Sequence, residues 1–256
     1  MRQTKLTEIL GTLSARERSS WRRYIHSDYC NRHKALRTLC DALLMPYTSP
    51  DETLGKQALF TQVFGNYELY NELKFNNLSS DLYECLLDWL ALERQSENNL
   101  EQQRQRTLAL LDRNHNKQAA GALEKYRGLL ERSPMRNAHW YRHAMHIEEI
   151  AESLHSRLPR RADSPHLLLQ EQYSRYEQAL EKLRLSVALH SRSSLAVIQA
   201  EDRSFLKNDL NLILQDPVLL EALPVARTHI AAYKLLETPS TETFVNLTAA
   251  LDQYHP

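Results

Sequence analysis

Residues 117–158 read KQAAGALEKYRGLLERSPMRNAHWYRHAMHIEEIAESLHSRL, and this stretch decides the fold. Apolar residues recur in it at three- and four-residue steps, which predicts two amphipathic helices joined by a turn at Ser133-Pro134. The apolar positions are Ala119, Ala122, Leu123, Tyr126, Leu129 and Leu130 in the first helix, and Trp140, Ala144, Ile147, Ala151 and Leu154 in the second. Each stripe is too broad for one partner helix. We therefore expect this hairpin, Lys117–Leu158, to have neighbours on both sides, as in stacked helical repeats.

The composition favours helices throughout the chain. Only five of the 256 residues are glycine, so glycine-rich phosphate loops and tight hairpins are not expected. Leu, Ala, Glu, Gln and Arg, which are good helix formers, are abundant, and no stretch alternates between apolar and polar residues. The predicted fold class is all-α.

Two regions are predicted: an N-terminal helical region, 1–100, and a helical-repeat region, 101–256. They could also form one continuous domain. The best candidate for a break is 159–165, PRRADSP, because it holds two prolines and a Ser-Pro helix start.

Local signals mark several helix boundaries in the first region. Ser14 is expected to cap a helix that runs to about His26, and Phe64-Gly65 to end another. The apolar pattern from Tyr67 to Glu97 is interrupted by 76–80, NNLSS, so we expect a bent or broken helix there.

Charge is balanced overall but unevenly spread. The chain has 32 basic and 32 acidic side chains, yet residues 1–40 carry a net charge of +6 and residues 41–100 a net charge of −7. The simplest interpretation is that these two segments pack together and cancel.

Cysteine content and hydropathy indicate a cytoplasmic protein. Cys30, Cys40 and Cys85 have no CxxC spacing, and we expect them to be reduced, partly buried thiols. No apolar run approaches the length of a membrane span, and the N-terminus lacks the apolar middle of a signal peptide, so no membrane association is expected.

The central hairpin resembles tetratricopeptide repeats, which pair two helices in about 34 residues. Ala122, Tyr126 and Pro134 stand at the spacing of a second repeat helix, and Trp140, Ala144 and Ile147 at that of the next first helix. Leu129 and His143 stand where the family prefers alanine and leucine, and nothing after Ile147 continues the period. The resemblance implies a right-handed αα-superhelix of irregular hairpins that binds an unidentified protein or peptide in its groove.

The second helix of the hairpin carries the candidate site. Trp140 is expected to pack, and Arg142, His143 and His146 are the candidate partner-binding residues. The alternative is a metal site formed by His139, His143, His146 and Glu149, which fall on one side of a helix. We prefer hydrogen-bonded histidines at a helix boundary, because this row lies about a quarter turn from the apolar stripe.

A second alternative is nucleic-acid binding by a basic N-terminal face. Its candidate residues are Arg16, Arg18, Arg22 and Arg23, with Trp21, Tyr24 and Tyr29 available to stack on bases. No known nucleic-acid-binding signature accompanies them. A solvated face, or one that meets the acidic residues Asp81, Glu84, Asp88 and Glu93, is the simpler interpretation.

Catalytic motifs are missing from the sequence. It contains no GxSxG, no glycine-rich phosphate loop and no HExxH, so we expect a non-enzymatic protein without a cofactor. At the other end of the chain, Phe244, Leu247, Leu251 and Tyr254 predict an apolar face on a last helix. Such a face suits either self-association or continuation into a longer array.

Overall fold

The computed structural model describes residues 4–45, 55–157, 164–193 and 204–252, without the side chains of 193 and 204–207. Within these ranges the chain forms thirteen α-helices and no strand, which confirms the all-α class. The helices fall into two compact units, 1–98 and 99–256. The sequence placed this division at 100/101, and its alternative break at 159–165 lies mostly outside the described residues.

The first unit is built around one long helix. Its helices are α1 (Lys5–Thr12), α2 (Ala15–His26), α3 (Lys34–Leu44), α4 (Lys56–Phe64) and α5 (Glu72–Glu97). Helix α5 contacts α1, α2 and α3. The shared core contains five fully buried side chains: Trp21, Leu39, Phe60, Leu82 and Leu86. The basic and acidic segments therefore do pack together, through burial of apolar surface.

Two predicted boundaries of this unit are confirmed. The Ser14 side chain accepts a hydrogen bond from the Glu17 backbone, and the Glu17 carboxylate accepts one from the Ser14 backbone, which forms a capping box. Helix α4 ends at Gly65, whose φ of +91° is unfavourable for residues with a side chain.

The predicted break in α5 is wrong. The helix continues through 76–80, and the Ser79 hydroxyl donates to the Phe75 carbonyl at 2.9 Å instead of capping a new helix. Phe75, Leu78 and Leu82 are buried on either side of this point. Packing of these residues outweighs the weak helix preference of the asparagines and serines.

The second unit contains the central hairpin. Its helices are α6 (Asn99–Asp112), α7 (Asn116–Glu131), α8 (Ala138–His155), α9 (His166–Ser193), α10 (Ser204–Leu214), α11 (Pro217–Ala222), α12 (Pro224–Glu237) and α13 (Thr241–Asp252). Helix α7 packs against α6 and α8, and α8 packs against α9 as well. The hairpin thus has a neighbour on each side, as its two broad stripes predicted.

The apolar stripes of the hairpin form the core between these helices. Ala119, Leu123, Tyr126 and Leu130 of α7 lie against Ala144, Ile147, Ile150 and Ala151 of α8. A second cluster joins Tyr141 to Leu180 and Leu183 of α9 and to Leu223 and Ala226 at the start of α12. The first cluster packs α8 against α7, and the second packs it against α9 and α12. Together they determine which side of α8 is not buried.

Helix α13 packs on α12 and buries none of its own residues. Phe244, Val245 and Leu251 are 57%, 55% and 41% exposed, and Leu247 is half-buried. Tyr254, the last member of the predicted apolar face, lies outside the described residues. Along the described parts of the chain, no helix is both long and apolar enough to cross a bilayer.

Candidate binding surface on helices α6 and α8

The start of α8 is fixed by local hydrogen bonds. The Asn137 side chain accepts from the Trp140 backbone at 3.0 Å, which caps the helix. The Trp140 indole donates to the Leu130 carbonyl at 3.0 Å, and Arg136 lies 3.9 Å over the indole ring. Trp140 therefore joins the end of α7 to the start of α8, and its predicted packing role is confirmed. This contact sets the rotation of the residues that follow.

His143 is a core residue and not a surface ligand. Only 3% of it is exposed. Its Nδ1 is hydrogen-bonded to the Tyr126 hydroxyl of α7, and its Nε2 lies 3.1 Å from Nε2 of His139. Direct contact between His143 and a partner, which the sequence suggested, does not agree with this burial. The residue instead links α7 to α8.

The electrostatics of this link keep His143 neutral. Burial lowers its pKa to about 4, and the neighbouring His139 and His146 act in the same direction. Burial also raises the pKa of the Tyr126 hydroxyl, which therefore keeps its proton. Two combinations of histidine tautomers satisfy the hydrogen bonds that run from Tyr126 through His143 to His139. In each combination, one of the two Nε2 atoms carries the proton that lies between them.

The histidine row does not converge on a metal position. Among the described residues, no three or more His, Cys, Asp or Glu side chains are grouped so as to hold a metal ion. His143 uses both ring nitrogens within the protein, and Nδ1 of His146 is buried without a hydrogen-bond partner. Burial lowers the pKa of His146 too, with Arg104 as the next cause. Glu149, the fourth residue of the predicted row, is exposed.

The open side of α8 faces a charged part of α6. Arg104 and Glu101 of α6 form an ion pair at 2.9 Å, and both influence the pKa values of His143 and His146. Arg142 of α8 pairs with Glu177 of α9 at 2.6 Å while 47% of its side chain stays exposed. The resulting polar strip, which we call the α6–α8 surface, consists of Glu101, Arg104, His139, Arg142, His146 and Glu149.

Sequence inspection missed a buried carboxylate behind this surface. Glu148 is 2% exposed and accepts from Arg127 of α7 at 3.0 Å and from His166 of α9 at 2.5 Å. It follows Ile147 on the buried side of α8, between the stripe residues Ala144 and Ala151. That position was the available signal, because a carboxylate inside an apolar stripe needs charged partners.

The basic N-terminal face is dispersed by the fold. Arg22 pairs with Asp41 at 2.7 Å, Arg18 donates to the Leu13 carbonyl, and Arg16 and Arg23 are exposed. Trp21 is fully buried in the core, so it is not available to stack on a base. On the same helix, the Ser20 hydroxyl donates to Glu93 of the acidic segment at 2.9 Å, whereas Arg22 pairs with Asp41, which is not one of the four predicted acidic partners.

The three cysteines differ in environment. All are free thiols, but Cys30 is exposed, Cys85 is half-buried and Cys40 is buried. The expectation of partly buried thiols therefore does not hold for Cys30. Burial raises the pKa of Cys40 and of Cys85, which keeps both thiols protonated.

Comparison with known proteins adds no family or fold relative: no protein-family model, no curated protein and no solved structure matches the chain.

Proposed function

We propose that the chain is a non-enzymatic scaffold that binds another polypeptide, and that residues 99–256 form an irregular, tetratricopeptide-like right-handed superhelix. The order of helix contacts supports this arrangement. Helix α6 pairs with α7 and α8 with α9, while α6 also contacts α8. In such repeats the first helices of successive pairs lie side by side and line the binding groove. Lengths of 14, 16, 18 and 28 residues for α6 to α9 account for the irregularity.

The observation that carries the proposal is the α6–α8 surface itself. It brings charged and imidazole side chains from two neighbouring first helices onto one strip, supported beneath by the buried His143 and Tyr126. The α8 residues His139, Arg142 and Glu149 are exposed, and Glu101, Arg104 and His146 are partly buried. A rigid helical support with exposed hydrogen-bonding groups suits recognition of a polypeptide chain. Arg142 and His146 remain the proposed contact residues, and His143 positions them.

A pull-down tests the scaffold. The full chain, immobilised, is incubated with native lysate, of which one half is treated with nuclease. We expect partner proteins in both halves, and we expect Arg142→Glu to reduce their capture while Arg132→Glu, an exposed arginine at the end of α7, leaves it unchanged. Circular dichroism checks that both variants are folded.

Other outcomes of this experiment separate the alternatives. If partners are captured only from the untreated half, the chain is a nucleic-acid-binding protein and not a protein-binding scaffold. Capture of nothing in either half would contradict both. Metal analysis of the purified protein addresses the histidine row, because stoichiometric zinc lost on changing His139 would revive the metal site.

We also propose self-association through α13. Its support is the exposure of Phe244, Val245 and Leu251 on a helix that buries none of its own residues.

A further inference from the structure

A second groove lies between α6 and α7, outside the α6–α8 surface. It has a volume of about 790 Å³. Helix α7 contributes Gln118, Gly121 and Lys125, which follow one another at three- and four-residue steps and so share one side of the helix. Helix α6 contributes Arg106 and Leu110, and Arg113, directly after its last residue, continues the similar steps. The lining also includes the small residues Ala109, Gly121 and Ala122.

The charge of this groove has one sign. Arg106, Arg113 and Lys125 line it, and of the described residues that line it none carries a carboxylate. None of these three cations forms an ion pair with a described acidic residue. Arg106 donates to the Gln102 side chain and Arg113 to the Ala109 carbonyl, which are neutral groups. Glu124, the neighbour of Lys125, lies 3.9 Å from Arg127 instead. The local positive charge stands out because the whole chain is neutral.

Gly121 is an exposed residue of the groove lining. Glycine is unfavourable in the middle of a helix. A Cβ at position 121 would meet nothing within 4 Å, as would one at Gly128 of the same helix, so a larger side chain here would extend into the open space of the groove. The size of residue 121 therefore affects how much room the groove has.

From these features we infer that the α6–α7 groove binds an acidic polypeptide segment, one that places carboxylates against Arg106, Arg113 and Lys125 and small or apolar side chains over Gly121 and Leu110. Charge complementarity fixes the class of partner. A nucleic-acid strand fits less well, since the lining includes no aromatic side chain for base stacking. The inference rests on the proposed scaffold function and names the kind of partner that such a scaffold would take.

Fluorescence anisotropy with defined probes tests the groove on the full chain. The probes are a labelled peptide in which glutamate alternates with alanine and leucine, the same peptide with glutamine in place of glutamate, and a single-stranded oligonucleotide of equal negative charge. We expect the glutamate peptide to bind most tightly, with an affinity that falls between low salt and ~0.15 M salt.

Variants locate the binding. The double change Arg106→Glu with Lys125→Glu is expected to weaken binding of the glutamate peptide by about tenfold or more. The control, Arg16→Glu with Arg23→Glu, alters the net charge equally on exposed residues of α2 and is expected to weaken binding by less than about twofold. Gly121→Leu changes no charge and keeps a good helix former, and it is expected to weaken binding about tenfold by filling the groove.

Three results would overturn the inference: binding of no probe, equal effects of the two double variants, or tighter binding of the oligonucleotide with loss in the α6–α7 variant. The scaffold proposal is judged separately. If nuclease-resistant partners are captured and the groove variants do not reduce their capture, the inference about the groove is wrong while the proposed scaffold function is supported. Circular dichroism confirms that each variant is folded.

Discussion

At the scale of single residues, the most informative side chain is His143, because burial changes its role. It lies between the Tyr126 hydroxyl and the His139 ring and is 3% exposed. A buried imidazole has to be neutral or paired with a carboxylate, and the direct hydrogen-bond partners of His143 are a phenol and another imidazole. The contribution of His143 to the stability of the folded protein therefore depends on pH.

We expect stability to fall as the pH decreases from about 6.5 toward 4. The folded-state pKa of His143, about 4, lies below its ordinary value of 6.5, so the unfolded chain binds the proton first. The groups that face it are Glu101 and Arg104 from α6, Tyr126 from α7, and His139 and His146 from α8. The contribution, ~3 kcal/mol, is fully present above pH 6.5 and is lost progressively below it.

Chemical denaturation across this pH range measures the effect. His143→Gln should flatten the pH dependence between 6.5 and 4, whereas His115→Gln, which removes an exposed histidine, should leave the slope nearly unchanged. An equal slope in the His143 variant and the unaltered protein would show that other groups carry the pH dependence.

Tyr126→Phe tests the hydroxyl end of the same bridge. Removing the oxygen leaves Nδ1 of His143 buried without its partner, which should lower the free energy of unfolding by ~1–3 kcal/mol. Tyr29→Phe is the control, because Tyr29 is 97% exposed and its hydroxyl should contribute less than ~0.5 kcal/mol. Thermal and urea unfolding of both variants provide the comparison, and equal stabilities would contradict a structural role for the bridge.

At the scale of helices, the joints between α7, α8 and α9 are both apolar and ionic. The Trp140 indole and the Tyr126–His143 pair connect α7 to α8. Glu148 then connects α8 to both neighbours through Arg127 and His166. One buried carboxylate thus fixes three helices in register, which helps to keep the α6–α8 surface in one shape.

Glu148→Gln should weaken this joint. Removing this carboxylate charge leaves Arg127 without its counter-charge and weakens the hydrogen bond from His166, and we expect a loss of ~2–3 kcal/mol. This is below the range for wholly buried pairs, since Arg127 and His166 are 35% and 24% exposed. Glu149→Gln changes the adjacent, exposed carboxylate and serves as the matched control in urea unfolding. Equal losses from the two changes would rule out a special role for Glu148.

At the scale of the whole molecule, each apolar core cluster draws its residues from one of the two units. Among the described residues, the first unit supplies one cluster, which includes Trp21 and Trp89, and the second unit supplies two, against which Trp140 packs. Because hydrophobic cores carry most of the cooperativity of unfolding, this division suggests two separate unfolding transitions.

Tryptophan fluorescence can resolve them. In a Trp140→Phe variant the remaining tryptophans, Trp21 and Trp89, both lie in the first unit, so the fluorescence signal reports on that unit alone. Adding Glu148→Gln should therefore not move the urea midpoint of the fluorescence signal. The circular dichroism signal, which includes both units, should move to lower urea. Parallel shifts of both signals would mean that the chain unfolds as one cooperative unit.

Self-association through α13 can be measured by sedimentation over a range of concentrations. We expect a concentration-dependent dimer that Phe244→Glu with Val245→Glu abolishes, because these two side chains are more than half exposed on α13. Val218→Glu introduces a charge at another exposed apolar residue, 74% exposed, and should leave the dimer intact. A monomer at every concentration would contradict the proposal.

Local features made the helices predictable. Ser14 with Glu17, Phe64 with Gly65, and the turn before Asn137 are signals that lie within a few residues of the boundaries they set. The apolar stripes of α7 and α8 likewise follow from the period of a helix, whatever packs against them. The sequence misled at 76–80 because packing of Phe75, Leu78 and Leu82 outweighs local preference there.

The sequence alone thus determined the all-α class and the position of the central hairpin. Tertiary structure alone decided what the hairpin does with its polar residues. The angular position of His143, a quarter turn from the stripe, suits either a surface or a core, and only the presence of α6 and α7 beside it buries the ring. The same holds for Glu148, whose partners lie 21 residues before it and 18 after it. Burial and pairing are properties of neighbours distant in sequence, and a periodic pattern within one helix does not contain them.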